Sequence, residues 1–165
     1  MLDLTALPHT LLNGAIISVL SGIIIMGSLW YNPRLWLQDY PKPIRDKVPP
    51  LSPIEKRQRL IVGVVFMGVL LSGALLEVSR LRANQAEFGT AYLHIFILFF
   101  IFNLFDALVL DLFIIAWLKP KFVMPAGAED MAYLFQDYHK HFTDFLKGMV
   151  FCMVFSLPFA VIAIL

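Results

Sequence analysis

Residues 88–118 read FGTAYLHIFILFFIFNLFDALVLDLFIIAWL, and the part from Thr90 to Leu118 decides the fold. It is almost wholly apolar and, at about 1.5 Å per residue, some 43 Å long as a helix, more than a hydrocarbon core of about 30 Å requires. A helix of that length tilts or protrudes from the bilayer. Its second half nevertheless holds Asn103, Asp106 and Asp111. A carboxylate at membrane depth costs roughly 2.5 to 3.5 kcal/mol on insertion scales, so it normally faces a protein interior or a wet cavity. These three side chains are therefore the first candidates for a binding site.

The rest of the composition agrees with that stretch. The chain has 165 residues, 59% hydrophobic and 15% charged, against about 45 to 50% and about 25% for soluble globular chains. Its mean hydropathy is +0.77. Three more segments approach the roughly 20 apolar residues that a spanning helix needs: Leu11 to Trp30, Leu60 to Leu76 and Gly148 to Leu165. The expected fold is all-α and polytopic. Residues 1–165 form one membrane domain, with spanning helices at about 10–31, 53–81, 90–118 and 142–165 in a bundle. The first segment lacks a basic n-region and an A-x-A-like cleavage site, so it is expected to be a retained helix. A net charge of +1 offers no general attraction for nucleic acid. Cys152 is the single cysteine, which excludes an intramolecular disulfide and a CxxC site.

Along the first helix Gly14, Ser18 and Gly22 recur every four residues. Such a stripe lets another helix backbone approach closely, the usual packing mode where lipid removes the hydrophobic driving force. The partner is either a helix of the same chain or a second copy, which leaves a homo-oligomer open. Trp30, Tyr31 and Trp36 mark an aromatic belt at the inner end. The connection that follows carries Pro33, Pro41, Pro43, Pro49, Pro50 and Pro53. That density predicts extended, PPII-like chain, either a semi-rigid linker or a docking strip for a cytoplasmic protein. Ser52-Pro53-Ile54-Glu55 reads as a capping box with Pro at the first helical position. Further on, Met131, Leu134, Phe135, Tyr138, Phe142 and Phe145 recur at spacings of three and four, which predicts an amphipathic interfacial helix over about 129–141, before the fourth span.

Basic residues set the expected orientation. The first connection has Arg34, Lys42, Arg45, Lys47, Lys56, Arg57 and Arg59, and the third has Lys119, Lys121, Lys140 and Lys147. The second has only Arg80 and Arg82. Connections one and three are thus expected in the cytoplasm and both termini on the far side of a cell membrane.

On an ideal α-helix Asn103 and Asp106 share a face, whereas Asp106 and Asp111 diverge by about 140°. Counted from Leu118, Asp106 lies about 18 Å in and Asp111 about 10 Å. The adjoining segment offers Asp137, His141 and Asp144 at i, i+4 and i+7. With Asp111 they form an oxygen and nitrogen donor set suited to a divalent metal, or else they are the solvated face of an interfacial helix. His9 and His94 lie toward the other side and are not placed as a haem pair.

Gly27-Ser-Leu-Trp-Tyr-Asn-Pro33, the stretch NPRLWLQDYP and the later NLFDALVLD and DYHKHF resemble a family of small, uncharacterised four-helix bacterial integral membrane proteins, a domain of unknown function. The resemblance implies four spans in a bacterial-type inner membrane and no activity. Three function classes fit the residues: proton, cation or small-solute handling through Asn103, Asp106 and Asp111; a membrane-embedded, metal-dependent enzyme acting on a lipid at the cytoplasmic face; and a non-catalytic accessory or assembly subunit.

Overall fold

The computed structural model describes residues 6–165. Residues 1–5 lie outside the described residues. The chain is an all-α polytopic bundle. Four helices are long and apolar enough to cross a membrane: Leu7–Tyr31, Pro53–Ala83, Phe88–Leu118 and Tyr138–Ile164. We label them α1 (Leu7–Tyr31), α3 (Pro53–Ala83), α4 (Phe88–Phe105, continued by a π segment, Asp106–Leu118) and α5 (Tyr138–Ile164), with α2 (Lys42–Lys47) in the first connection. Helix α4 packs mainly on α5 and α1, and α3 on α1 and α5. Leu11, Ile16, Ile23, Val64, Leu76, Val150 and Val154 point outward and exposed, the surface that lipid would cover.

Glycines set how closely the helices approach. A Cβ on Gly14 would stand 2.7 Å from Ile101 Cδ1, and one on Gly22 would stand 2.9 Å from Phe105 Cε1. Both partners belong to α4. Ser18, between them, is buried and its hydroxyl donates to the Gly14 carbonyl at 2.7 Å. Two tighter contacts lie off the stripe: a Cβ on Gly73 would meet Ile17 Cγ2 at 2.4 Å, and one on Gly148 would meet Asn103 Oδ1 at 1.9 Å.

The proline-rich connection differs from the extended linker its composition predicts. It folds as a 3-10 helix over Pro33–Asp39 and then α2, and it buries Leu35, Leu37, Tyr40, Ile44 and Val48 against the end of the bundle. The prolines are compatible because they start helices: Pro33, Pro43 and Pro53 each occupy one of the first two positions, where no intrahelical N–H bond is lost. The capping box forms as expected. Ser52 Oγ accepts from Glu55 N at 3.2 Å, and the Glu55 carboxylate accepts from Ser52 N at 2.8 Å.

The third connection completes this cap. Tyr40 donates its hydroxyl to the Val123 carbonyl, and Lys47 pairs with Asp130 at 2.8 Å. Burial pushes the Tyr40 phenol well above its ordinary range, so it stays a donor at any physiological pH. The amphipathic helix expected over 129–141 is shorter and of 3-10 type, Glu129–Gln136; Asp137 breaks it at φ −77° and ψ 81°, and α5 starts at Tyr138. The amphipathic pattern thus belongs to two elements.

Gly148→Ala should lower the detergent melting temperature by the equivalent of about 1 to 3 kcal/mol, as overpacking does. Gly63→Ala, where a Cβ meets nothing within 4 Å, should leave it unchanged or raise it. Thermal unfolding of both variants in one detergent measures the contrast; equal melting temperatures would mean that Gly148 does not set the α4–α5 distance.

Candidate functional site

From Asp106 the backbone of the third span widens. Its 13 residues up to Leu118 are π-helical, closed by Lys119 N donating to the Ile114 carbonyl at 3.0 Å, and Lys119 then takes a left-handed conformation at φ 47°. π geometry usually lasts a single turn and is frequent at functional sites. Its i→i+5 bonding places residues five apart about one turn apart. Asp106 and Asp111, divergent on an α-helix, therefore face the same side and line one cavity.

The cavity has a volume of about 600 Å³ and lies under the cap, between the ends of α1 and α3, the π segment and the start of α5. Ile25, Leu29, Phe66 and Phe102 form its apolar wall, and Asp39, Asp106, Asp111, Asp137 and Asp144 line it together with Lys42, Arg45, Lys140 and His141. Asp106 is half-buried there, and among the described residues its carboxylate has no hydrogen bond and no ion pair. Asn103 is not part of the lining. Its amide donates to the Phe145 carbonyl at 3.2 Å and its oxygen lies over Gly148, so it fastens α4 to α5. Sharing an α-helical face with Asp106 was the reason for grouping them; the turn between them is α-helical, but the Asn103 amide is taken up by α5.

The expected metal set is gathered only in part. His141 Nδ1 stands 3.6 Å from Asp111 Oδ2, with the imidazole 10% and the carboxylate 34% exposed. Asp137 caps α5 by accepting from Lys140 N at 3.0 Å, and Asp144 is held by Lys140 at 2.6 Å and Lys147 at 2.9 Å. Among the described residues no three His, Cys, Asp or Glu side chains are close enough to hold a metal ion. The i, i+4, i+7 spacing failed because Asp137 lies outside the helix and the two lysines satisfy Asp144.

The His141–Asp111 contact has a consequence for protons. His141 Nε2 lies 2.7 Å from the Phe135 carbonyl, which can only accept, so Nε2 carries hydrogen. In the neutral ring Nδ1 would then turn a lone pair toward a carboxylate. The contact is favourable only with one more proton on the pair, or with a cation beside it.

A second polar cluster, at the other end of the bundle, was not legible as such. Arg80 read as one of two basic residues of the second connection, and His94, with His9, as not placed as a haem pair. In the structure Thr10, Glu77 and His94 are all buried, at 0, 2 and 0% exposure. Thr10 Oγ1 lies 2.6 Å from Glu77 Oε1 and 2.6 Å from His94 Nδ1, and it accepts from Arg80 Nη2 at 2.9 Å. Arg80 pairs with Glu77 and also donates to the Ala6 carbonyl at 3.1 Å. Asn13 Nδ2 donates to the Gly73 carbonyl at 3.0 Å and reaches Glu77 Oε2 at 3.4 Å. A carboxylate only accepts and a guanidinium only donates, so the single Thr10 hydrogen goes to Glu77, and His94 donates from Nδ1. The cluster ties α1, α3 and α4 together. The available signal was the i, i+3 spacing of Glu77 and Arg80 on one helix face.

No protein-family model, curated protein or solved structure matches this chain.

Glu77→Ala should leave a guanidinium facing Thr10 without its counter-ion and cost about 3 to 5 kcal/mol, the range for breaking a buried pair, while Thr10→Val should cost about 1 to 3 kcal/mol. The combination of Glu77→Ala with Arg80→Ala should cost less than the two single losses together. Additive losses in detergent unfolding would show that the four groups do not act as one network.

Proposed function

We propose that this integral membrane protein takes up a proton or a small cation, free or as part of a small solute, in the cavity beneath its cap. The observation that carries this is Asp106: a carboxylate inside the third span, aimed into a cavity and without a protein partner. Burial disfavours the uncompensated charge, so the site favours whatever brings a proton or a positive charge to it. Asp111 with His141 adds a second place for a proton, one turn away. The volume is in the range of small-molecule sites, and the apolar wall suits a solute that is part hydrocarbon.

A second function is favoured by one observation, the His141–Asp111 contact on a cavity lined by α5's first turn. It would act as an acid–base pair on a lipid headgroup at that face. Connections one and three, which form the cap, are assigned to the cytoplasm on the strength of their lysines and arginines.

Two measurements test these assignments. Asp106→Asn should fold normally and abolish the stabilisation that small organic cations give the wild type, which by mass action is about 2.7 kcal/mol at a hundredfold excess over Kd. Asp111→Asn should be milder for cation uptake and the more severe of the two for lipid chemistry. A folded Asp106→Asn, Asp111→Asn double variant with unchanged cation response would remove the ground for the proposal.

Orientation is checked separately. Cys152 is buried, so introduced cysteines report against a low background. Cysteines replacing Asp46 and Ala126 should resist an impermeant thiol reagent added outside intact cells, and one replacing Ala86 should react. Labelling at residue 46 would invert the topology.

A further inference from the structure

Beside the acidic cavity, with which it shares Gln38 and Arg45, a cleft of about 480 Å³ lies between the first connection and the start of α3. Arg45, Lys56 and Arg59 line it, with Asp46 as its one acid and Leu37, Val48, Pro50 and Leu51 as apolar walls. Among the described residues none of the three cations has a carboxylate within ion-pair distance. That contrasts with Arg34 nearby, which Glu55 neutralises at 2.6 Å.

The two guanidiniums are held instead by a neutral residue. Arg45 Nη1 donates to the Gln38 carbonyl at 3.3 Å, and Arg59 Nη1 donates to Gln38 Oε1 at 2.8 Å. Gln38 thus positions both without cancelling their charge and leaves their other N–H groups for a ligand. Lys56 and Arg59, three apart, share a face of α3. Arg59 immediately precedes Leu60, where the uncharged run of the second span begins, so the cleft lies at the level of lipid headgroups. Three cations stand against Asp46 in the lining, and Asp39 acts on Arg59 from the adjoining cavity, so the cleft keeps a net positive charge suited to a phosphate group, which arginine recognises with paired N–H donors.

We infer that this cleft binds a phosphate group, supplied by an anionic lipid headgroup or by soluble phosphate. The inference does not rest on the function proposed for the acidic cavity, although Gln38 and Arg45 line both.

The test reconstitutes the full chain in phosphatidylcholine nanodiscs containing spin-labelled phosphatidylglycerol and reads the motionally restricted lipid fraction. The wild type should prefer phosphatidylglycerol to labelled phosphatidylcholine. Lys56→Gln and Arg59→Gln should each lower that preference about fivefold. Gln38→Ala keeps every charge and the carbonyl that Arg45 bonds to, but frees the Arg59 guanidinium, and should lower it as well. Arg57→Gln removes the same charge from the same helix outside the cleft and should have little effect. Millimolar inorganic phosphate distinguishes the sources: displacement of the labelled lipid identifies a site open to soluble phosphate, and its failure to displace identifies a headgroup site. Equal losses in Arg57→Gln and Arg59→Gln, or an unchanged preference in Gln38→Ala, would reduce the cleft to diffuse surface charge and overturn the inference.

Discussion

A carboxylate removed from water has to find its compensation within reach, and in this bundle that constraint is met in three ways. Glu77 is neutralised by Arg80 and saturated by Thr10 and Asn13. Asp111 faces an imidazole. Asp106 faces a cavity. The first solution is complete and closes the end of the bundle at which α1 begins and α3 ends; the other two leave compensation to something exchangeable. The two ends of the molecule are therefore different in kind: an ion pair on α3 with partners on α1 and α4 fastens one, and a cavity lined by carboxylates lies at the other.

The cap explains how the open end stays ordered. Tyr40 to Val123, Lys47 to Asp130 and Arg34 to Glu55 join the first connection to the third and to α3. The Lys47–Asp130 pair is solvent-exposed and holds the Asp130 carboxyl below its usual range, a contact that screening by salt weakens. Buried Leu35, Ile44 and Val123 do not depend on salt, so the roof over the cavity rests on apolar packing with polar contacts setting its register.

Four spans were legible because hydropathy over about 20 residues depends on no neighbour, and the Ser52 capping box because it is completed within four residues. The small-residue stripe was legible as a face, but only the structure supplies Ile101 and Phe105 as what it meets. What escaped depended on distant partners. Prolines in the first connection read as extended chain, and the apolar residues between them were what folded it, by burial against α1 and the third connection. Glu77 and His94 sit on different helices and come within 3.9 Å of each other, with Thr10 on a third helix in contact with both. Asp106 and Asp111 were recognised singly, but an assumed α pitch set them apart. Asn103 was grouped with Asp106 because its partner, the Phe145 carbonyl, is 42 residues away in sequence.

That pitch matters for how the molecule could work. Within the π segment each peptide bonds to a carbonyl five residues back, and a return to the four-residue bond would wind the segment tighter, sending Asp111 about 140° away from Asp106 around the helix axis. His141 would lose its carboxylate, and because an α-helix rises further per residue than a π-helix, the segment would also lengthen against the cap. The segment is like a thread whose lead sets the side on which each residue emerges, and the wide lead is what brings the two aspartates to one cavity.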